Sequence, residues 1–460
     1  MKKISTVFVL AAMLGGSLVF AQTDQAPKPF QAGISLGTDV FNTGPVDPTT
    51  GSPTPEAWTQ LGFQPDVAFG KFGVGLNLTF HFQVYPVNYP DQAVRLYDGD
   101  WVAGSGANAL DWASLYLSKL LYVRYGLKGQ DPLFVKVGSI SDFTLGNGFI
   151  MGSYSNMSFF PQTRFTGVDF GIDGSMFNFP MVGLELLTSN LARFDVVGAH
   201  VVVRPLIGTD LGLFKNLQAG LTVAADTDPG VYYSLTNPGS LSSAYSGPAV
   251  AVFGLDASLP LLNSPMATAT AFTEAALEPN GRAGYMLGAG GKLVSLFLWG
   301  AQLRLLGPGF IPTYFDANYD IYRNAKAVLM ESSPTGSASV GWFATIGASL
   351  LGDKVSSSIS LDGPFAAGVV GDTYSWPHLR AVAHLGEGLL PGIYADASYE
   401  KYALGSVSNF FSDIVDPTDA IVGLSINYRT GSSVLSLLYN AKWMDQQWKV
   451  SSSLQASVKF

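Results

Sequence analysis

Between Phe72 and Tyr85 the chain alternates. Phe72, Val74, Leu76, Leu78, Phe80, Phe82 and Val84 are apolar, and Gly73, Gly75, Asn77, Thr79, His81, Gln83 and Tyr85 fall between them. Successive side chains of a β-strand point to opposite faces, so this spacing predicts a strand with one apolar and one polar face. The period of two recurs at Trp342, Ala344, Ile346, Ala348 and Leu350, and at Ala420, Val422, Leu424, Ile426 and Tyr428. It returns at Leu435, Leu437, Tyr439, Ala441 and Trp443. Beyond the N-terminal leader no run of about 18 apolar residues occurs, which excludes helical membrane spans.

Alternating strands build either a soluble sandwich, apolar inside, or a membrane barrel, apolar outside. Composition decides between them. Charged residues are only 13 % of the 460 residues while 47 % are hydrophobic, and soluble domains carry about 25 % charge. The alternating segments run about 9 to 14 residues, closer to tilted membrane strands than to the 5–6 of soluble sheets. Tyr85, Trp376, Tyr399, Tyr402, Tyr428, Trp443 and Trp448 sit at segment ends, where interfacial girdles belong. The prediction is an all-β fold: a transmembrane antiparallel up-and-down β-barrel of about 20 strands, within a range of roughly 16–22.

Connections fit that alternation. Long, Gly/Pro/Ser/Asp/Asn-rich stretches at 41–60, 86–110, 141–164, 228–246, 306–337, 363–376 and 402–418 read as extracellular loops. Short ones at 70–71, 128–131, 175–180, 259–264, 351–353, 387–391 and 430–432 read as periplasmic turns. The connections near 189–194, 278–281 and 444–446 are then short outer loops. A single barrel domain is expected over 22–460.

The N-terminus reads as an export signal. Met1-Lys2-Lys3 is a positive n-region, Ile4 to Leu14 an apolar h-region, and Val19-Phe20-Ala21 a cleavage site. Cleavage after Ala21 starts the mature chain at Gln22. With no cysteine, disulfides, thiolate metal sites and a lipidated N-terminal Cys are excluded. The net charge of −9 argues against nucleic acid, which needs a basic face.

The last strand places Trp448, Val450, Leu454, Ala456, Val458 and Phe460 on one face and Lys449, Ser451, Ser453, Gln455, Ser457 and Lys459 on the other. A terminal aromatic closing an alternating strand resembles the outer-membrane ending read by the barrel assembly machinery, and the mature chain resembles bacterial outer-membrane barrels as a class. The stretch Val123-Arg124-Tyr125-Gly126 through Phe134-Val135-Lys136-Val137-Gly138 and Thr144-Leu145-Gly146-Asn147-Gly148-Phe149-Ile150 is similar to uncharacterised porin-like proteins of spirochaetes and related bacteria. That resemblance implies a porin-like channel in the bacterial outer membrane. The alternative is a hydrophobic-substrate transporter of the fatty-acid type. Such proteins begin with an N-terminal hatch carrying Asn-Pro-Ala, which this sequence lacks, and only Gln22 to Phe30 precede the first strand.

Catalytic signatures are missing: there is no Walker loop and no His-Glu-x-x-His. His81, His200, His378 and His384 fall on or beside strands as lumenal residues, so no enzyme and no cofactor or metal is expected. Arg124, Lys136, Arg204, Arg304 and Arg380, with Glu185, Asp396 and Glu400, alternate with apolar residues inside strands. Charge on the lipid face costs about 2–4 kcal/mol at midplane, so these should line the pore. They serve either as a solute-selecting field or as ion pairs that hold the wall. The 141–164 loop is unusually apolar for its class, with Phe149, Met151, Tyr154, Phe159 and Phe160 among glycines. It is expected to fold inward as a constriction, anchored by Asp142 and Arg164. The lumen is otherwise expected open and water-filled, passing small solutes by passive diffusion. The partners are outer-membrane lipid, the assembly machinery and those solutes; homo-oligomer formation stays open.

Overall fold

The computed structural model describes residues 30–48, 53–160, 163–236, 244–334, 336–370, 372–444 and 446–459. Ala21 and Phe460 lie outside the described residues. The strands are β1 (Phe30–Val46), β2 (Pro53–Phe69), β3 (Phe72–Leu76), β4 (Leu78–Val84), β5 (Val94–Leu96), β6 (Leu120–Tyr125), β7 (Leu133–Gly138) and β8 (Gly167–Asp173). They continue as β9 (Val182–Thr188), β10 (Val196–Val203), β11 (Gln218–Asp226), β12 (Val250–Asn263), β13 (Ala267–Glu278), β14 (Arg282–Leu293) and β15 (Phe297–Leu306). The last are β16 (Ser339–Leu350), β17 (Val355–Pro364), β18 (His378–Leu390), β19 (Ile393–Lys401), β20 (Ala420–Thr430), β21 (Ser433–Met444) and β22 (Gln447–Lys459).

These segments form one sheet. β3 and β4 pair in turn with β2 on either side of Asn77, so they are two pieces of one wall strand, and β5 is a short arm added to β4. β1 pairs with β22 from Gly33↔Lys459 to Val40↔Ser452, which closes the ring. The result is a closed antiparallel barrel of 20 wall strands. Ring closure gives each wall strand a partner on both sides, with β3 meeting β6 and β4 meeting the β5 arm, as a sheet in hydrocarbon requires.

The two faces of the wall invert the soluble rule. Ile34, Leu36, Phe80, Phe253, Leu255, Leu287, Ile346 and Leu454 are exposed, whereas their neighbours in alternation, Ser35, Asp39, His81, Thr222, Glu274, Arg304, Ser358 and Ser453, are buried. Apolar side chains clothe the outside and polar ones point in, as the period of two requires.

One rim carries the long connections 85–119, 139–166, 227–249, 307–338, 365–377 and 402–419. The other carries mostly tight turns, such as Gly431-Ser432 between β20 and β21, where Gly431 takes the φ of +60° that a two-residue hairpin needs. Some expected boundaries move. The 41–60 loop is mostly wall, because β1 runs to Val46 and β2 starts at Pro53. The 259–264 turn lies at 264–266, because Pro260 falls inside β12 at a register shift, a position that tolerates proline. The connections 204–217 and 294–296 have no counterpart in the expected set. The latter is hidden by its own chemistry: Val294 and Ser295 take positive φ within an apolar run, with no glycine to mark the turn.

Candidate functional site

Directly paired residues of an antiparallel ladder share a face, so the lumenal surface can be traced around the ring. Asp256, Glu274, Met286 and Arg304 stand in one row through β12 to β15. Asp362 pairs with His378, and Arg380 with Glu400. In the other direction His200 pairs with Glu185, Lys136 with Asp169, and Arg124 with Lys136. Arg124, Lys136, Arg304, Arg380, Glu185, Asp396 and Glu400 therefore fall on the polar parity of their strands, and Arg204 lies just past the end of β10.

Most of these charges are held in networks. Arg304 donates to Asp362 at 2.6 Å and lies over Phe343. Arg380 donates to Glu400 at 2.8 Å, and Asn318 donates to the same carboxylate at 2.7 Å. Arg204, just past β10, donates to Asp173 at 2.7 Å and to the Pro180 carbonyl. Asp396 faces His384 at 2.6 Å, and Glu185 faces His200 at 3.8 Å. Arg124 is buried beside Tyr122. All four histidines meet carboxylates: His81 contacts Asp39 and Asp100, and His378 contacts Asp362 and Glu400. His81 of β4 bridges Asp39 of β1 and Asp100 of the 85–119 connection, while His200, His378 and His384 meet carboxylates of nearby wall strands. Among the described residues no group of three or more acidic or His side chains is arranged to hold a metal.

The connection 139–166 turns into the lumen. Phe149, Met151 and Tyr154 are buried in a core with Leu187, Val252, Phe272 and Met286 of the wall. Its backbone folds on itself, with Phe143 and Tyr154 exchanging N–H···O bonds at 2.9 and 2.8 Å. Asn147 and Phe149 N–H groups donate to Glu274 on β13. On the opposite flank Asn440 of β21 donates to the Phe160 carbonyl at 2.9 Å, and Lys442 donates to the Ser158 carbonyl. A loop rooted between β7 and β8 thus reaches both β13 and β21. Phe159 and Phe160 are half-buried, Phe159 against Phe165 and Tyr232. At the ends, burial pushes the Asp142 carboxyl up to about 6 against the pull of Arg380 and Lys128. Arg164 lies over the Phe160 ring at 4.9 Å, so a ring meets that end.

A second loop meets the first. Residues 307–338 carry the helix Tyr319–Glu331 into the same core through Phe310, Ile311, Tyr314, Phe315, Tyr319, Ala327 and Met330. The loops pair as backbone: Phe315 N–H donates to the Ile150 carbonyl at 3.0 Å, Gly152 N–H to Phe315 at 3.1 Å, and Thr313 N–H to Phe149 at 2.7 Å. The helix is clamped at three places. Arg323 donates to Asp195 and Asp226, and Tyr319 donates to Asp226 at 2.7 Å. Asp320 accepts from Tyr154, and burial pushes its carboxyl up to about 7. At the helix C-terminus Arg282 of β14 donates to the carbonyls of Leu329, Met330 and Ser332, which supplies partners for orphan carbonyls and a cation at the negative end of the dipole. The lumen expected to be open is crossed by this septum of two loops.

Apolar excess marks the first loop in the sequence, and the second is not among the loops expected to turn inward. The same signal was available there: Phe310, Ile311, Tyr314, Phe315, Tyr319, Ile321 and Tyr322 are as apolar as Phe149 to Phe160. What hid it is the string of Asp316, Asp320, Arg323 and Lys326 among them, which reads as solvated charge although Asp320, Arg323 and Lys326 are buried and Asp316, half-buried, pairs with Lys326.

No protein-family model matches the chain, and no curated protein matches it. Among solved structures, CdiB from Acinetobacter baumannii is 8 % identical with a TM-score of 0.27, over 95 % of this chain and 61 % of its own. OccK5 (OpdH) of Pseudomonas aeruginosa is 8 % identical with a TM-score of 0.33, over 94 % of this chain and 96 % of its own. The outer membrane protein OprD of the same species is 9 % identical with a TM-score of 0.33, over 94 % of both chains. Overlaps this loose carry no argument, and the fold rests on the closed register of the wall.

Proposed function

We propose that this chain is an outer-membrane, porin-like channel for passive diffusion of small solutes, with a lumen narrowed by inward-folded loops. The supporting observation is the pairing of an apolar outer wall with a polar lumen crossed by the 139–166 loop from β7/β8 to β13 and β21. The outside suits hydrocarbon, and the inside offers charged and hydroxyl groups that water and small polar solutes tolerate. On this reading the long-loop rim faces outward and the short-turn rim faces the periplasm.

Arg124, Lys136, Arg204, Arg304, Arg380, Glu185, Asp396 and Glu400 line that lumen chiefly as ion pairs that hold the wall, and Phe149, Met151, Tyr154, Phe159 and Phe160 set the constriction. Recognition of Phe460 by the barrel assembly machinery belongs to the same reading. The finer likeness to porin-like proteins of spirochaetes rests on the stretch from Val123 to Ile150. Liposomes containing the purified protein should swell in small sugars and exclude larger ones. Liposomes that stay sealed to the smallest sugars would remove the channel reading and leave the hydrophobic-substrate transporter.

A further inference from the structure

The wall is uneven in height. β6 and β7 have 6 residues, β8 and β9 have 7, and β10 has 8, whereas β12 has 14 and β18 has 13. Seven strand residues rise about 23 Å along their axis. At a tilt near 40° that is about 18 Å of height against an apolar band of about 25 Å. Strands β6 to β10 alone leave a sector of the barrel too short for the hydrocarbon it meets.

Apolar segments that are not strands stand at both ends of that sector. At the long-loop rim the helix Ala109–Leu117 leads directly into β6, with Trp112 and Tyr116 one turn apart, stacked and exposed. It is fixed in place: Asn108 and Asp111 form a capping box, Arg193 pairs with Asp111, and Thr166 donates to the Leu117 carbonyl. At the other rim the turn 174–181 exposes Met176, Phe177, Phe179 and Met181, and the neighbouring connection 204–217 exposes Leu211, Leu213 and Phe214. Arg204 ties these two together by donating to Asp173 and to the Pro180 carbonyl. Large apolar side chains held rigid in turns cost free energy in water. Here they continue the outer face of β8 to β10, where Leu186, Val201 and Val203 are already exposed.

We propose that these three segments complete the lipid-facing surface over the short sector. The helix Ala109–Leu117 and the turns 174–181 and 204–217 lie in the bilayer interface, with their aromatic and aliphatic side chains among the upper acyl carbons and headgroups. Tyr and Trp suit that boundary because each has an apolar body and a polar tip. The occupant is lipid: the segments continue a lipid-facing wall, and they sit where the strands run out. The inference rests on the membrane-barrel reading.

The chain has no cysteine, so single-cysteine labels are unambiguous. Spin labels at Tyr116→Cys, Phe177→Cys and Phe214→Cys, sites exposed by 52 %, 67 % and 56 %, are read in phospholipid vesicles for collision with oxygen and with a water-soluble nickel chelate. Leu255→Cys, 65 % exposed on β12, is the hydrocarbon reference, and Val87→Cys, 94 % exposed in a rim loop, is the water reference. Oxygen collisions several-fold above nickel collisions at all three sites are expected, as at Leu255→Cys. Nickel access matching Val87→Cys overturns the inference. Exclusion of both reagents also overturns it, because a second protein copy would then cover the sector. If Leu255→Cys itself reads as water, the membrane reading fails and not merely this extension of it.

Discussion

Arg323 grips Asp226 with two donors, Nε at 2.9 Å and Nη2 at 2.6 Å, and so joins a helix in mid-lumen to the end of β11. Its Nη1 reaches Asp195 at 2.9 Å, and all three side chains are buried. Removing one partner from such a set leaves charge without compensation, at a cost of about 3–5 kcal/mol. Arg323→Met should therefore undock the 307–338 loop while the wall, held by its own ladder, stays closed. Limited proteolysis checks this: new cleavage within 307–338 of a protein that is still heat-modifiable is expected, and an equally resistant loop counts against the clamp.

Burial raises the carboxyls of Asp320 and Asp142 to about 7 and about 6, from the ordinary 3.8 they regain in water. Between about pH 4 and 7 the docked loops hold protons that released loops do not. Docking is then strongest at acid pH and weakens as pH rises through 7. Channel conductance should be higher at pH 7.5 than at pH 5, and Asp320→Asn should shrink the difference. A conductance that falls as pH rises contradicts the assignment.

Leu255 and Thr222 test the two faces of the wall. Leu255 is exposed midway along β12, whereas Thr222 is buried in the lumen on β11. Arginine at a lipid-facing midplane site costs about 2–4 kcal/mol, so Leu255→Arg should lower the denaturant midpoint in lipid while Thr222→Ser changes it little. Equal tolerance at both sites would mean that the outer face does not meet hydrocarbon.

The wall was legible because alternation is a local signal: Phe72 to Val84 and Leu435 to Trp443 state their outer faces outright. The lumenal parity of Arg304 and Glu400 follows from it by counting. Their partners do not. Asp362 meets Arg304 from 58 positions away across the intervening β16, and Asn318 meets Glu400 across 82 from a folded-in loop, separations that strand register and loop docking bridge. The inward turn of Phe149 and Tyr154 was visible as apolar excess in a loop. The matching loop was not, because Arg323 and Asp320 disguise a buried surface as a wet one.

In the sequence Phe460 continues the apolar alternation of Trp448, Val450, Leu454, Ala456 and Val458. If the assembly machinery reads that end, deleting Phe460 should lower the yield of folded, heat-modifiable protein in a native host and raise periplasmic aggregate. An unchanged folded yield would strip the residue of that role.

If the two-loop septum sets the pore, removing part of it must widen the path. Single-channel conductance in planar bilayers should be compared between the native chain and a variant with residues 149–160 replaced by a short Gly/Ser linker. The native protein should give stable open steps. The variant, still folded, should give larger steps and pass larger solutes, because it loses the buried core of Phe149, Met151 and Tyr154. Identical conductance and size cutoff in a folded variant would place the 139–166 loop outside the permeation path, and sealed bilayers from both proteins would contradict the channel itself.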